Sequence, residues 1–162
     1  MKTRGGYSLI EVMMVVAIVG VIGSIAPQLL IQVTRFFRQN QARTEIQRDA
    51  QATFNLIGRN LRQAQAGTIV IDQKTGQPPY SRVAFTRMDG RQLSYYQDGA
   101  KLYQVSGGTK AITENIRYIA FGHPRTDDGK LLTVTVTLEK ATYNQQTKAL
   151  QLSVQKFRVQ ND

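Results

Sequence analysis

The chain has no cysteine. That excludes a disulfide framework, thiol chemistry and zinc sites built on thiolates. Histidine is nearly as scarce, with His123 the single instance. A histidine metal cluster or a Ser-His-Asp triad would have to be built on that one residue. It stands between Gly122 and Pro124 in a turn-like stretch, so it reads as an ordinary loop or strand-end residue. Acid is short as well: 11 Asp and Glu against 21 Lys and Arg leave a formal charge of +10. No carboxylate pair at a defined spacing, no nucleophile beside a base and no phosphate-cradling loop is present, so nothing argues for an enzyme, a cofactor or a bound metal. Asp127, Asp128 and Gly129 lack the spaced carboxylates of an EF-hand and read as a turn.

Charge is missing altogether from residues 12–34, an apolar run of 23 residues. A helix needs about 20 to cross a bilayer core, and a secretory signal core has only about 7–15. No small-residue cleavage site ends the run, so it is expected to stay as an anchor. Lys2 and Arg4 before it place the N-terminal side in the cytoplasm, with Arg35 and Arg38 beyond it pulling the other way. Glu11 sits at the edge of the run, behind Tyr7, Ser8, Leu9 and Ile10. A carboxylate at membrane depth costs about 3 kcal/mol unless it lies near the interface or finds a partner. One reading is an interfacial acid favoured by the dipole at a helix start.

The segment Lys2-Thr3-Arg4-Gly5-Gly6-Tyr7-Ser8-Leu9-Ile10-Glu11-Val12 supports another. It resembles the N-terminal signal of type IV prepilins and pseudopilins, in which a short basic leader ending in Gly precedes a run that opens close to Phe-Thr-Leu-Ile-Glu. Tyr7 and Ser8 stand here for Phe and Thr. The resemblance implies recognition at Gly5 and Gly6, cleavage between Gly6 and Tyr7 by a prepilin peptidase on the cytoplasmic side, and N-methylation of Tyr7. Glycine has no side chain to block access to the backbone at the cut. The new α-amine would be cationic near neutral pH, and Glu11 would meet it, in the same subunit or in a neighbour. An unpaired carboxylate in an apolar bundle is costly, so Glu11 would act as a register device for assembly. Gly20 and Pro27 interrupt the run. An ordinary membrane helix tolerates such residues, and the resemblance gives them a role in local helix melting, with Pro27 expected to kink the helix.

Past Thr34, Ile46, Ala50, Phe54, Ile57, Leu61 and Ala64 keep the spacing of one helical stripe, and Gly67 is a stop signal. One helix is predicted from about Ser8 to Ala66. The remainder alternates polar and apolar residues in short runs: 68–71, 82–87, 92–96, 101–105, 116–121, 131–138 and 150–155. Asp89-Gly90 is a hairpin signal, and Gly107-Gly108 closes a unit. The predicted class is α+β, the pilin fold: a leader over 1–6, a transmembrane and assembly helix over 7–34, and an extracytoplasmic head over 35–162. In that head, helix 35–66 packs on antiparallel strands spanning 68–159.

The head is similar in its strand order to the J-type minor pseudopilins of type II secretion and to W-type minor pilins. The implied function is a minor pilin or pseudopilin, a structural subunit of a type IV pilus or secretion pseudopilus. Its expected partners are other pilin subunits, the prepilin peptidase and an inner-membrane assembly platform, and its expected location is the bacterial inner membrane, single-pass, before assembly. The alternative is a DNA-binding pilin of an uptake pilus, which the basic charge suits. Much of that charge lies along the helix, which a filament would partly hide.

Overall fold

The computed structural model describes residues 6–125, 128–142 and 148–161. Lys2, Thr3, Arg4, Gly5 and Asp127 therefore lie outside the described residues. One helix, α1 (Leu9–Arg62), is followed by a 3-10 turn at Ala66–Thr68 and eight strands. The strands are β1 (Val70–Asp72), β2 (Arg82–Thr86), β3 (Gln92–Asp98), β4 (Lys101–Val105), β5 (Thr109–Thr113), β6 (Ile116–Gly122), β7 (Leu131–Ala141) and β8 (Lys148–Arg158). The chain divides into two units, residues 1–39 and 40–162. With α1 against antiparallel sheets, the class is α+β, an arrangement consistent with the pilin fold.

In the first unit every described residue up to Phe37 is exposed. Valine and isoleucine crowd this part of α1, and β-branching slightly disfavours a helix. In an apolar medium the stronger demand is that each backbone N–H and C=O be satisfied within its own segment, which an α-helix does. The polar side chains follow the same rule: Ser24 Oγ donates to the Val21 carbonyl at 2.7 Å and Thr34 Oγ1 to that of Leu30 at 2.8 Å. The helix runs through Gly20, Gly23 and Pro27 without a break in its assignment.

The second unit holds the core. On α1, Ala42, Ile46, Ala50, Phe54, Ile57 and Leu61 are buried, while Arg43, Arg48, Arg59 and Arg62 face solvent. The expected stripe is thus the packed face. The helix stops at Arg62, short of the predicted Ala66. The residues beyond it are drawn into strand-like bonding: the Gln65 N–H donates to the Thr86 carbonyl at 2.9 Å, and Ala64 bridges Arg87. Those bonds are incompatible with a further helical turn. They also delay the first strand, which starts at Val70 where the pattern pointed to Thr68.

The strands form two sheets, where the pattern suggested one continuous meander. Strands β1 to β5 pair in sequence, and β6, β7 and β8 form a separate three-stranded sheet. Strand β5, beyond Gly107-Gly108, was not legible: Thr-Lys-Ala-Ile-Thr is mostly exposed and lacks clean alternation. The β2–β3 hairpin turns at Asp89-Gly90 as expected, with Gly90 at φ 78° and Asp89 Oδ1 accepting from the Arg91 N–H at 3.1 Å. A left-handed residue at that point is cheapest as glycine.

Buried Gln97, on β3, joins the sheets. Its Oε1 accepts from the Ile119 N–H at 3.0 Å, and its Nε2 donates to the carbonyls of Arg117 (3.1 Å) and Gly99 (2.8 Å). One side chain thereby stands in for a neighbouring strand along the edge of β6. The backbone completes the seam: the Ile116 N–H donates to the Ala100 carbonyl at 2.9 Å, and that of Phe121 to the Tyr80 carbonyl at 2.9 Å. His123 follows β6 in a loop, its Nδ1 3.3 Å from the Leu131 carbonyl. Asp128 Oδ1 accepts the Lys130 N–H at 3.0 Å, a local turn.

Candidate functional site

The candidate residues lie at the start of α1. Among the described residues nothing lies within 4 Å of a Cβ placed on Gly6. Tyr7 is 84% exposed. The Ser8 carbonyl accepts the first helical bonds, from the N–H groups of Glu11 (3.0 Å) and Val12 (3.2 Å), and Gly6 and Tyr7 before it are exposed and outside the helix. Glu11 falls in the first turn of the helix. There the unsatisfied N–H groups carry a partial positive charge that favours an acid by about 0.3–1 kcal/mol.

Tyr7 and Glu11 are brought onto one face, four residues apart, and with Val12, Val15 and Val16 they line an open apolar groove along the helix. Gly20 and Pro27 are not part of that cluster and lie farther along the run. From Leu9 to Val33 the large apolar side chains, including Ile10, Met13, Val16, Ile22 and Leu30, stand exposed. A patch of that extent is covered in a functioning protein by lipid or by other apolar helices. Among the described residues α1 is the one helix long and apolar enough to cross a membrane.

In the second unit the described acids are mostly engaged in pairs. Asp98 meets Lys74, Glu114 meets Lys101 at 2.7 Å, Glu45 meets Lys140, and Glu139 lies between Lys148 and Arg117. The hydrogen bond from Lys148, with the charges of Lys148 and Arg117, holds the Glu139 carboxyl below the usual range against the opposing effect of desolvation. The bond to Asp98 raises the Lys74 ammonium in the same way. These pairs join neighbouring elements, and among the described residues no group of three potential metal ligands converges.

Two buried polar groups escaped the sequence reading. Asn60 Nδ2 donates to the Tyr95 hydroxyl at 2.5 Å inside the core, and Gln97 forms the seam described above. A signal for the second was present: Leu93, Tyr95 and Gln97 alternate on one face of β3, so a glutamine occupied an inward position.

An anchor-length helix with a lone acid in its first turn, continuing into a helix packed on antiparallel sheets, points to a membrane-anchored, single-pass protein of the α+β class. Residues 1–27 match the prokaryotic N-terminal methylation motif, a match that supports a type IV pilin-like protein. Comparison with curated proteins finds no match.

Proposed function

We propose that the chain is a minor pilin or pseudopilin, a structural subunit of a type IV pilus or type II secretion pseudopilus. A prepilin peptidase cuts between Gly6 and Tyr7, the Tyr7 amine is methylated, and the segment 7–34 then packs among the helices of other subunits, with the head from residue 35 outside the membrane. One observation carries the reading: a single carboxylate, Glu11, sits on the same face as Tyr7 at the start of a wholly exposed apolar helix, within the residues that match the methylation motif. An acid there is stable when it meets a cation, and cleavage creates that cation four residues away. Methylation keeps the charge while leaving the amine able to donate. Gly20 and Pro27 provide the places where the packed helix can open, since glycine weakens a helix and proline removes one of its hydrogen bonds.

The decisive test is a pair of measurements in a host with an active prepilin peptidase. Mass spectrometry of the purified chain is expected to show an N-terminus at methylated Tyr7. Glu11→Gln is expected to leave processing intact and to reduce recovery in sheared filaments by an order of magnitude or more, in line with the cost of about 3–5 kcal/mol for breaking a buried ion pair. A mature chain still carrying Met1, or full incorporation of the glutamine variant, would refute the proposal.

A further inference from the structure

The sheet edges of the second unit are unequal. Strand β1 has three residues and β5 five, and β6 is sealed by Gln97 and by the backbone of Tyr80 and Ala100. Strand β8 is different. It runs for 11 residues, pairs with β7 on one side, and among the described residues forms no backbone hydrogen bond on the other. A long unpaired edge is a template for another strand.

The surroundings of that edge state what could join it. On the outer sheet face Leu150, Leu152 and Val154 are 56%, 64% and 54% exposed, an apolar row opposite Glu139, Thr137 and Thr135 of β7. On the inner side a groove of about 560 Å³ opens between β8 and α1, lined by Asn55, Arg59, Arg62, Gln155, Phe157 and Gln160. Arg59 and Arg62 are exposed and meet no carboxylate among the described residues. Strand β8 itself contains Lys148, Lys156 and Arg158 and no acid. Antiparallel pairing of two copies through this edge, centred on Ser153, would set Lys148 of each against Arg158 of the other, which disfavours a symmetric dimer. Arg59 and Arg62, on the inner side of the edge, would attract an acidic strand.

We propose that the outer edge of β8 and the adjoining groove form a docking site for an extended acidic segment of a partner protein, taken up as an added strand. Alternation of side chains across a strand fixes the pattern of that segment. Every second residue is apolar and extends the row of Leu150, Leu152 and Val154. The residues between are acidic and enter the groove toward Arg59 and Arg62.

The probe is a fluorescent synthetic peptide of about ten residues alternating valine and glutamate, at the upper end of strand lengths and close to that of β8, titrated against the full chain in detergent micelles. It is expected to bind and to slow amide exchange over Leu150–Arg158, while the peptide with lysine for glutamate is not. Of two peptides N-methylated on every second residue, in opposite phase, one is expected to lose binding, because one set of its N–H groups faces β8. Arg59→Gln with Arg62→Gln is expected to weaken binding about tenfold while lowering the melting temperature by no more than a few degrees, since both side chains are exposed and lose only their interaction with the helix C-terminus. No binding by the acidic peptide, equal binding by the lysine peptide or by both methylated peptides, or no effect of the double substitution would overturn the proposal. So would stronger binding of a single-stranded oligonucleotide that displaces the peptide, which would mark a nucleic-acid surface. Slow exchange of β8 that grows with protein concentration in the absence of peptide would assign the edge to a second copy instead.

Discussion

Gly58 is a point of close approach between α1 and the three-stranded sheet. A Cβ built on it would lie 2.9 Å from Cδ1 of Phe157 and closer still to Cε1, inside van der Waals contact. Alanine is the better helix former by about 1 kcal/mol, yet overpacking a filled site costs about 1–3 kcal/mol, and the Phe157 ring that would have to shift is buried. Gly58→Ala is therefore expected to lower the melting temperature by several degrees, and Phe157→Leu in that background to recover part of the loss although it destabilises on its own. Additive losses in the double variant would show that the two sites do not touch. Tyr95 makes a second prediction. Burial, opposed by the Asn60 hydrogen bond and the charge of Arg87, pushes its hydroxyl up to about 12 from 10.0. The unfolded chain ionises near pH 10 and the folded chain two units later, so this residue's contribution is intact below pH 10 and falls as pH rises toward 12. At pH 11 the loss is about 1.4 kcal/mol. Between pH 9 and 11 the melting temperature should fall more steeply in the wild type than in Tyr95→Phe, whose other tyrosines are unchanged.

At the scale of elements, the junction of the two sheets rests on one side chain. Gln97→Ala would strand the Ile119 N–H and the Arg117 and Gly99 carbonyls. Leaving a buried backbone group unpaired costs about 1–3 kcal/mol. The substitution is expected to destabilise the second unit by at least about 2 kcal/mol and to speed amide exchange at Ile119 more than at Val134, inside β7. Uniform exchange across both strands would contradict a local seam. This junction also marks where the sequence stopped being legible. The helical stripe from Ile46 to Leu61 and strands β2, β3, β4, β6 and β7 could be read because burial on one face imposes a period. Strand β5 could not, because an exposed strand carries no period. The division into two sheets could not, because it depends on where one glutamine points. The helix end was misplaced because Gln65 bonds to Thr86, a residue 21 positions on. At the N-terminal segment the position is reversed: Gly6, Tyr7 and Glu11 were visible as a motif, and the fold of one isolated chain adds their accessibility and shared face, while the pairing proposed for them needs neighbouring helices.

For the whole molecule the distribution of burial divides the labour. No residue before Ala42 is buried among those described, and every buried apolar side chain lies between Ala42 and Val159. The hydrophobic contribution to folding is roughly proportional to apolar area removed from water, so the second unit carries the fold's own stability and the first unit's apolar surface remains to be covered by lipid or by other helices. A fragment comprising residues 40–162 is therefore expected to fold without detergent, to unfold in one cooperative transition, and to melt within a few degrees of the same unit in the micelle-bound full chain. The cut leaves the helix with a new first turn that includes Arg43, where a cation is disfavoured by about 0.3–1 kcal/mol, small beside the 5–15 kcal/mol typical of a domain. Circular dichroism and calorimetric melts of the two proteins measure the difference directly. A fragment that is molten, or that melts tens of degrees lower, would show that the apolar part of α1 supports the head, and the separation of roles between anchor and head would have to be abandoned.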